Sequence, residues 1–320
     1  MPAGDPGHRV TQVHLDTDLG SDTDDLCALA MLLGWPGVEL TGITTTTDPG
    51  GRRAGFTEYA LALAGRSDIP VIAGAEGSLG GLALSEIVIP EYWPEPISPR
   101  PARPGAAVEL LESSVEAGAT VVAVGPYTNL GMLEAARPGL LASTQVVVMG
   151  GHVPRPREGL PPWGVHEDFN VQQDRLAALT VLERCEPLVV PLAATVEVWL
   201  RAAHLEVLRG AGPLGGLLAD QAEAHARDNR MSDLARSFPG LPDDLLNFQH
   251  DPLACAAGVG WDGVTVERIP TALELRDDRL WMVPREGGRP LSVVSSVEGE
   301  RFEQEWLRAA VAASAAGTPG

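Results

Sequence analysis

Five carboxylates fall within the eleven residues Leu15-Asp-Thr-Asp-Leu-Gly-Ser-Asp-Thr-Asp-Asp25, namely Asp16, Asp18, Asp22, Asp24 and Asp25. At neutral pH they repel one another. Helix capping accounts for one or two of them: Asp22 followed by Asp25 resembles a capping box, and acidic residues suit the positive end of a helix. A cap needs about one acceptor, so the remainder require another explanation. A hard cation removes the conflict, because Ca²⁺ takes about six to eight oxygen ligands and Mg²⁺ about six, both favouring carboxylates.

Three other stretches could join such a site. His250-Asp251-Pro252-Leu253-Ala254 sets a His–Asp pair before an apolar helix, with Pro252 suited to its first turn. Val121–Leu130 runs a strand into Gly125-Pro126, which frees the last strand carbonyls, that of Val124 among them. Met149-Gly150-Gly151 is another strand end where glycines permit close backbone approach. Taken singly, the first reads equally well as a helix cap and the last as a tight turn.

Elements that would position these residues alternate along the chain. Strands are predicted at Val10–Leu15, Val38–Thr45, Val71–Ala73, Thr120–Val124, Gln145–Met149 and Pro187–Val190. Helices are predicted at Asp25–Leu33, Arg53–Ala64, Val108–Ala117, Leu130–Ala136 and Asp174–Arg184. Leu26, Leu29, Ala30 and Leu33 have the spacing of one buried helical stripe. The alternation implies an α/β fold with an open, mostly parallel sheet flanked by helices. Ligands of such sheets bind beyond the carboxyl ends of the strands, where the Asp-rich segment falls. Ser78–Pro104 and the Pro-rich Val153–Pro162 read as loops, residues 201–250 as helical with an irregular tail. One domain over residues 1–320 is expected, with flexible tails at 1–9 and 310–320.

Composition narrows the function. The formal net charge is −20, which argues against nucleic acid or an anionic membrane as a partner. The chain contains no lysine, which excludes Schiff-base chemistry and a P-loop. Cys27, Cys185 and Cys255 lack metal-like spacing and read as reduced core thiols of a cytoplasmic protein. No signal-peptide layout and no apolar run long enough to span a bilayer is visible.

In combination these motifs resemble the inosine/uridine-type nucleoside hydrolases, the calcium-dependent N-ribohydrolases. The resemblance is collinear from about Val13 to Asp262. It adds Gly42-Ile43-Thr44-Thr45, Gly125-Pro126 with Thr128-Asn129-Leu130, and Asp168-Phe169-Asn170 with Asp174, while Val297-Glu298-Gly299 into Arg301-Phe302 is a weaker echo. It implies a homodimer or homotetramer acting on a small nucleoside. By position, Asp18, Asp25, the Val124 carbonyl and Asp251 would hold one Ca²⁺, with two ribose hydroxyls and a water completing the shell. Asp24 would be the general base, and Asp16 would orient a ligand or its loop. Asp48, Asp168 and Asn170 would bind ribose, with Met149 against the sugar. His250 would lie near the leaving base, as acid or as a prop for Asp251, and Trp163 or Tyr92 would stack on it or anchor a loop. The implied chemistry passes through an oxocarbenium-like state, which carboxylates stabilise, and uses a water acidified by the metal.

Departures from the family pattern matter too. The opening is two residues longer than the commonest form, so Asp22 competes with Asp24 as base or becomes an extra ligand. An Asp stands at 168 where many members have Glu, and Pro162 falls where an Asn often binds the 5′-hydroxyl. Two rivals follow: a non-catalytic nucleoside- or sugar-binding homologue, and a haloacid-dehalogenase-like Mg²⁺ phosphatase built on Asp16-Thr17-Asp18, which the absence of lysine disfavours.

Overall fold

The computed structural model describes residues 10–79, 92–94 and 96–317. The strands are β1 (Thr11–Thr17), β2 (Val38–Thr45), β3 (Val71–Ala73), β4 (Thr120–Ala123), β5 (Val146–Met149), β6 (Leu188–Val190), β7 (Trp199–Arg201), β8 (Leu245–Phe248), β9 (Val264–Arg276), β10 (Arg279–Pro284) and β11 (Arg289–Val297). The first helices are α1 (Asp24–Gly34), α2 (Arg52–Leu63), α3 (Ala106–Glu116), α4 (Thr128–Ala136), α5 (Phe169–Gln173) and α6 (Arg175–Arg184). They are followed by α7 (Leu192–Thr195), α8 (Leu205–Ala211), α9 (Pro213–Asp228), α10 (Met231–Ser237), α11 (His250–Gly258) and α12 (Gly299–Ala316). Every strand and helix predicted from periodicity is present within two residues of its expected limits.

Nine strands form one sheet in the order β10-β9-β11-β6-β5-β4-β1-β2-β3. The run from β3 to β6 is parallel, as is the β6–β11 pair. β9 and β10 continue the sheet as an antiparallel meander. The parallel strands read as unbroken apolar runs (Val121–Ala123, Val146–Met149) because helices cover both faces. The order reverses at β1, whose neighbours are β2 and β4, so the crevice beyond β1 and β4 is the switch point where such sheets bind ligands. Asp18 and Val124 sit there, one residue past their strands.

α1 departs from a one-stripe helix. Leu26, Cys27, Ala28, Leu29, Ala30, Met31 and Leu32 are all buried, because α11 and α12 pack on it as well as the sheet. Trp306 on α12 donates its indole N–H to the Cys27 carbonyl at 3.2 Å. The expectation of a flexible tail from 310 is corrected by the same packing: α12 continues to Ala316 with Ala310 and Ala313 buried. The expected tail at 1–9, and part of the Ser78–Pro104 loop, lie outside the described residues.

A second, two-stranded antiparallel sheet pairs β7 with β8. With α9, α10 and the Pro-rich loop it surrounds a small apolar cluster that includes Leu160, Val196, Met231 and Phe248, with Trp163 against it. This unit stands over the carboxyl ends of the main strands. Among the described residues no helix is long and apolar enough to cross a membrane, and all three cysteines are free and buried.

Candidate active site

A cavity of about 560 Å³ opens at the switch point. Its floor holds the carboxylates. Asp24, Asp25 and Asp251 are buried, and one oxygen of each lies within 4.8 Å of the others. The first two open α1 and the third opens α11, so two helix N-termini point at one spot. Burial, then neighbouring carboxylates, push all three acids well above the usual carboxylate range. Such a group favours a cation in its midst. Asp25 does not complete a capping box: its Oδ1 accepts from the Thr17 hydroxyl and from the Asp18 N–H at 3.2 Å.

Asp18 stands at the edge of this group rather than inside it. Its Oδ2 lies 3.7 Å from the guanidinium of Arg53, a buried cation. Arg53 also donates to the Thr47 carbonyl at 3.0 Å. Burial raises the Asp18 carboxyl above its ordinary range even though Arg53 opposes this. Gly125 makes the approach possible, since a Cβ there would sit 2.8 Å from the Asp18 carboxylate and 2.9 Å from its N–H. The Val124 carbonyl lines the cavity and accepts from Asn170 Nδ2 at 2.6 Å.

Asp16 lies beneath the floor. It accepts from the Thr44 hydroxyl and from Asn129 Nδ2, its second oxygen is buried with no hydrogen-bond partner among the described residues, and burial pushes it up to about 7. Its backbone carbonyl accepts from the Val124 N–H at 2.8 Å, which fixes the β1–β4 crevice.

Along the side wall, Met149, Asp168 and Asn170 line the cavity together. Asp168 accepts from the Gly151 N–H at 3.0 Å and faces His152 Nδ1 at 3.6 Å. The Asn170 amide nitrogen is taken by the Val124 and Met149 carbonyls, while its Oδ1 makes no hydrogen bond among the described residues. Pro162 is exposed and does not line the cavity; Glu167, later on the same loop, does.

One sequence expectation fails here. Asp48 does not line the cavity. Its Oδ1 accepts from the Arg53 N–H at 2.7 Å, and its Oδ2 accepts from the Ala54 N–H and the Thr45 hydroxyl. It ties down the start of α2, so the assignment to ribose is corrected. Asp22 lines the cavity with the other carboxylates and shares a hydrogen bond with the Asp24 carboxyl, while also reaching α9 and β8. Its Oδ1 accepts from Asn247 Nδ2 at 2.6 Å and faces His225 Nδ1 at 3.6 Å. Burial works to raise its pKa, but His225, His250 and the Asn247 amide outweigh that and hold it below the ordinary value.

The far end of the cavity is aromatic. Trp163 stands edge-on to Phe248, with ring centres 4.9 Å apart, and is tilted against His250 at 5.8 Å. His250 Nδ1 is 2.6 Å from the Thr195 hydroxyl, and burial pushes its pKa down to about 4. His225 and Asn229 complete this wall from α9 and just beyond it. Tyr92 is not among the lining residues. Sequence reasoning missed Arg53, His225, Asn229 and Glu167. An Arg in a first helical turn and a His in an Ala-rich helix carry no local signal of what they will face.

The family model for inosine-uridine preferring nucleoside hydrolases matches residues 13–304. The chain belongs to that family. Its members are N-ribohydrolases, and the haloacid-dehalogenase alternative is thereby set aside. The pyrimidine-specific ribonucleoside hydrolase RihA of Salmonella paratyphi C is 30% identical over 266 residues, covering 76% of this chain and 77% of its own length. The RihA of Klebsiella pneumoniae is 29% identical over 260 residues, covering 76% and 78%. Among solved structures, a purine-preferring ribonucleoside hydrolase from Gardnerella vaginalis superposes with a TM-score of 0.77 at 22% identity, over 95% of this chain and 99% of that one. An inosine-uridine preferring hydrolase from Bacillus anthracis gives 0.68 at 19%, over 94% and 99%. This nucleoside hydrolase shares their open, mostly parallel sheet.

Proposed function

We propose that the chain hydrolyses the N-glycosidic bond of a ribonucleoside to ribose and free base, with Ca²⁺ as cofactor. The observation that carries this reading is the convergence of three buried carboxylates, Asp24, Asp25 and Asp251, within 4.8 Å at the floor of a 560 Å³ cavity whose opposite end is aromatic. One end suits a cation and a sugar, the other a planar base.

The donor set fits a hard divalent ion: all-oxygen, buried, charge-rich and with few compensating cations. Asp25, Asp251 and the Val124 carbonyl would hold it, with Asp18 released from Arg53 as a further ligand. When bound, the ion supplies Lewis-acid chemistry, fixing ribose hydroxyls and making water more acidic. The chain's own residues do the rest. Asp24 takes the proton of the attacking water. Asn170 Oδ1 and Asp168 orient the sugar, Met149 packs on it, and Asp16 holds the crevice. Surrounding carboxylates stabilise the positive charge that develops at C1′. Glu167 replaces the contact that Pro162 cannot make to the 5′ end. Trp163 stacks on the base.

The relatives' names divide between pyrimidine and purine nucleosides, so the test spans both. With Ca²⁺ present, reducing sugar is released from at least one member of a panel of purine and pyrimidine ribonucleosides. Binding of a nucleoside in titration calorimetry with no base released from any member would favour the non-catalytic homologue instead.

A further inference from the structure

We propose that His152 is a positioning residue for the sugar: its Nδ1–H holds the Asp168 carboxylate from behind while Oδ1 of that carboxylate takes a ribose hydroxyl. This rests on the hydrolase reading above and names the group that sets one of its sugar contacts.

His152 follows the Met149-Gly150-Gly151 strand end and is buried at 8% exposure. Its Nε2 accepts from the Met282 backbone N–H at 3.1 Å. That nitrogen therefore carries no proton, and the proton of the neutral ring lies on Nδ1. Nδ1 is itself buried with no hydrogen-bond partner among the described residues, and Asp168 Oδ2 stands 3.6 Å from it. Oδ2 already accepts from the Gly151 N–H at 3.0 Å, whereas Oδ1 makes no hydrogen bond among the described residues. Asp168 lines the cavity. One of its oxygens is thus tied to the wall and the other is left for substrate.

The edge of the main sheet decides where that proton sits. β10 is the outermost strand, so its outward N–H and C=O groups need partners beyond the sheet. They find them in the segments that line the sugar end. The Leu280 N–H donates to Gln172 Oε1 at 3.0 Å, and Gln172 Nε2 donates to the Leu280 carbonyl at 2.9 Å. The Met282 N–H goes to His152. Gln172 lies two residues beyond Asn170 on α5. Trp281 stands edge-on to the His152 ring, with centres 6.1 Å apart. β10 therefore orients His152 and the Asp168–Asn170 segment together.

At 3.6 Å the His152–Asp168 contact is longer than a hydrogen bond. Active-site hydrogen bonds are often this long without substrate and tighten when it binds. A nucleoside displaces water from the cavity, and a carboxylate deprived of water needs donors in its place. Asp168 then has the sugar hydroxyl at Oδ1, with the Gly151 N–H and the His152 Nδ1–H at Oδ2. His152 transfers no proton in this role, since Met282 occupies Nε2 and Nδ1 carries the one ring proton.

Two variants separate this role from simple anchoring of β10. His152→Gln still accepts from the Met282 N–H but has no donor at the Nδ1 position. His152→Asn presents an amide N–H there but falls short of Met282. Positioning predicts that His152→Gln lowers kcat/KM on nucleosides about tenfold, the worth of one hydrogen bond to a charged group, while His152→Asn stays within about threefold of the unaltered chain. The reverse order, equal losses, or no loss in His152→Gln would overturn the assignment. In an Asp168→Ala background, His152→Gln is expected to lower kcat/KM by less than about twofold further, and a full tenfold further loss would overturn it. Nitrogen chemical shifts of the unaltered chain should show His152 protonated at Nδ1; a ring protonated at Nε2 would contradict the proposal without any variant. An unaltered chain that releases ribose from no nucleoside overturns the hydrolase reading itself, and this assignment with it.

Discussion

The two ends of the cavity are built on different principles. At the carboxylate end, Asp18 and Val124 follow β1 and β4, while Asp24, Asp25 and Asp251 sit on the first turns of α1 and α11. Those elements are buried on nearly all sides, so the oxygens are held by the core itself. At the aromatic end, Trp163 comes from a Pro-rich loop and His225 from the end of α9, with the buried Phe248 of the small β7–β8 sheet packed behind Trp163. The first end is placed by the fold common to the family. The second is placed by a loop, a helix end and a small separate sheet, where a change can be absorbed without disturbing the main sheet, which is where substrate choice can change. The carboxylates are thus held by the main sheet and its helices, and the aromatic wall by segments outside it.

Substitutions at the floor separate its members most sharply. Asp251→Ala is expected to lose both the cation and turnover, whereas Asp24→Asn keeps the cation and loses about 1,000-fold in kcat, within the usual range for a general base. Calorimetric Ca²⁺ titration beside nucleoside kinetics checks both. An active Asp24→Asn with a dead Asp22→Ala would reverse the assignment of the base. At the other end, Trp163→Ala is expected to raise KM for nucleosides by roughly five- to tenfold, the worth of one aromatic stacking contact, with little change in inhibition by free ribose. A loss confined to kcat would remove Trp163 from base binding.

The floor also dictates a pH response. Asp24, Asp25 and Asp251 have pKa values raised by burial and mutual repulsion. The folded chain therefore binds more protons than the unfolded one, and without a cation its stability falls as pH rises. Buried His14, His204 and His250, pushed down to about 3, 4 and 4, act in the opposite direction. That effect is complete once the unfolded histidines are neutral, about one unit above their pKa of about 6.5. Thermal denaturation in chelator between about pH 7.5 and 8.5 should show a falling Tm, and Ca²⁺ should flatten the slope. A chelated chain whose Tm rises across that window would mean the carboxylates are already compensated.

The smallest effect concerns the corrected residue. Asp48→Ala removes the acceptor for two α2 N–H groups and is expected to lower stability by about 1 kcal/mol. Its kcat on nucleosides should stay close to that of the unaltered chain; a large fall in kcat would restore Asp48 to the sugar.

Much of the floor was legible because its signals are local. Excess charge in one segment, strand ends marked by Gly125 and Gly150, and a Pro252 that opens a helix all act over a few residues. The six parallel strands were legible for the same reason, since β-branched runs bounded by turn residues carry their own period. What escaped depended on distance in the chain. Asp48 follows a strand as Asp18 does, yet the turn at residues 49–51 brings α2 close enough to take both its oxygens. His225 meets Asp22 across some 200 residues, and nothing in the Ala-rich α9 marks it. The continuation of α12 beyond Ala309 was hidden because alanines read as tail until α1 is seen to cover them.

The central claim is that the clustered carboxylates work through one divalent cation. The most direct measurement is nucleoside hydrolysis by chelator-treated, dialysed chain as Ca²⁺ is added back. The account predicts no ribose release without the ion and full recovery at one Ca²⁺ per chain. Undiminished hydrolysis by the metal-free chain would contradict it.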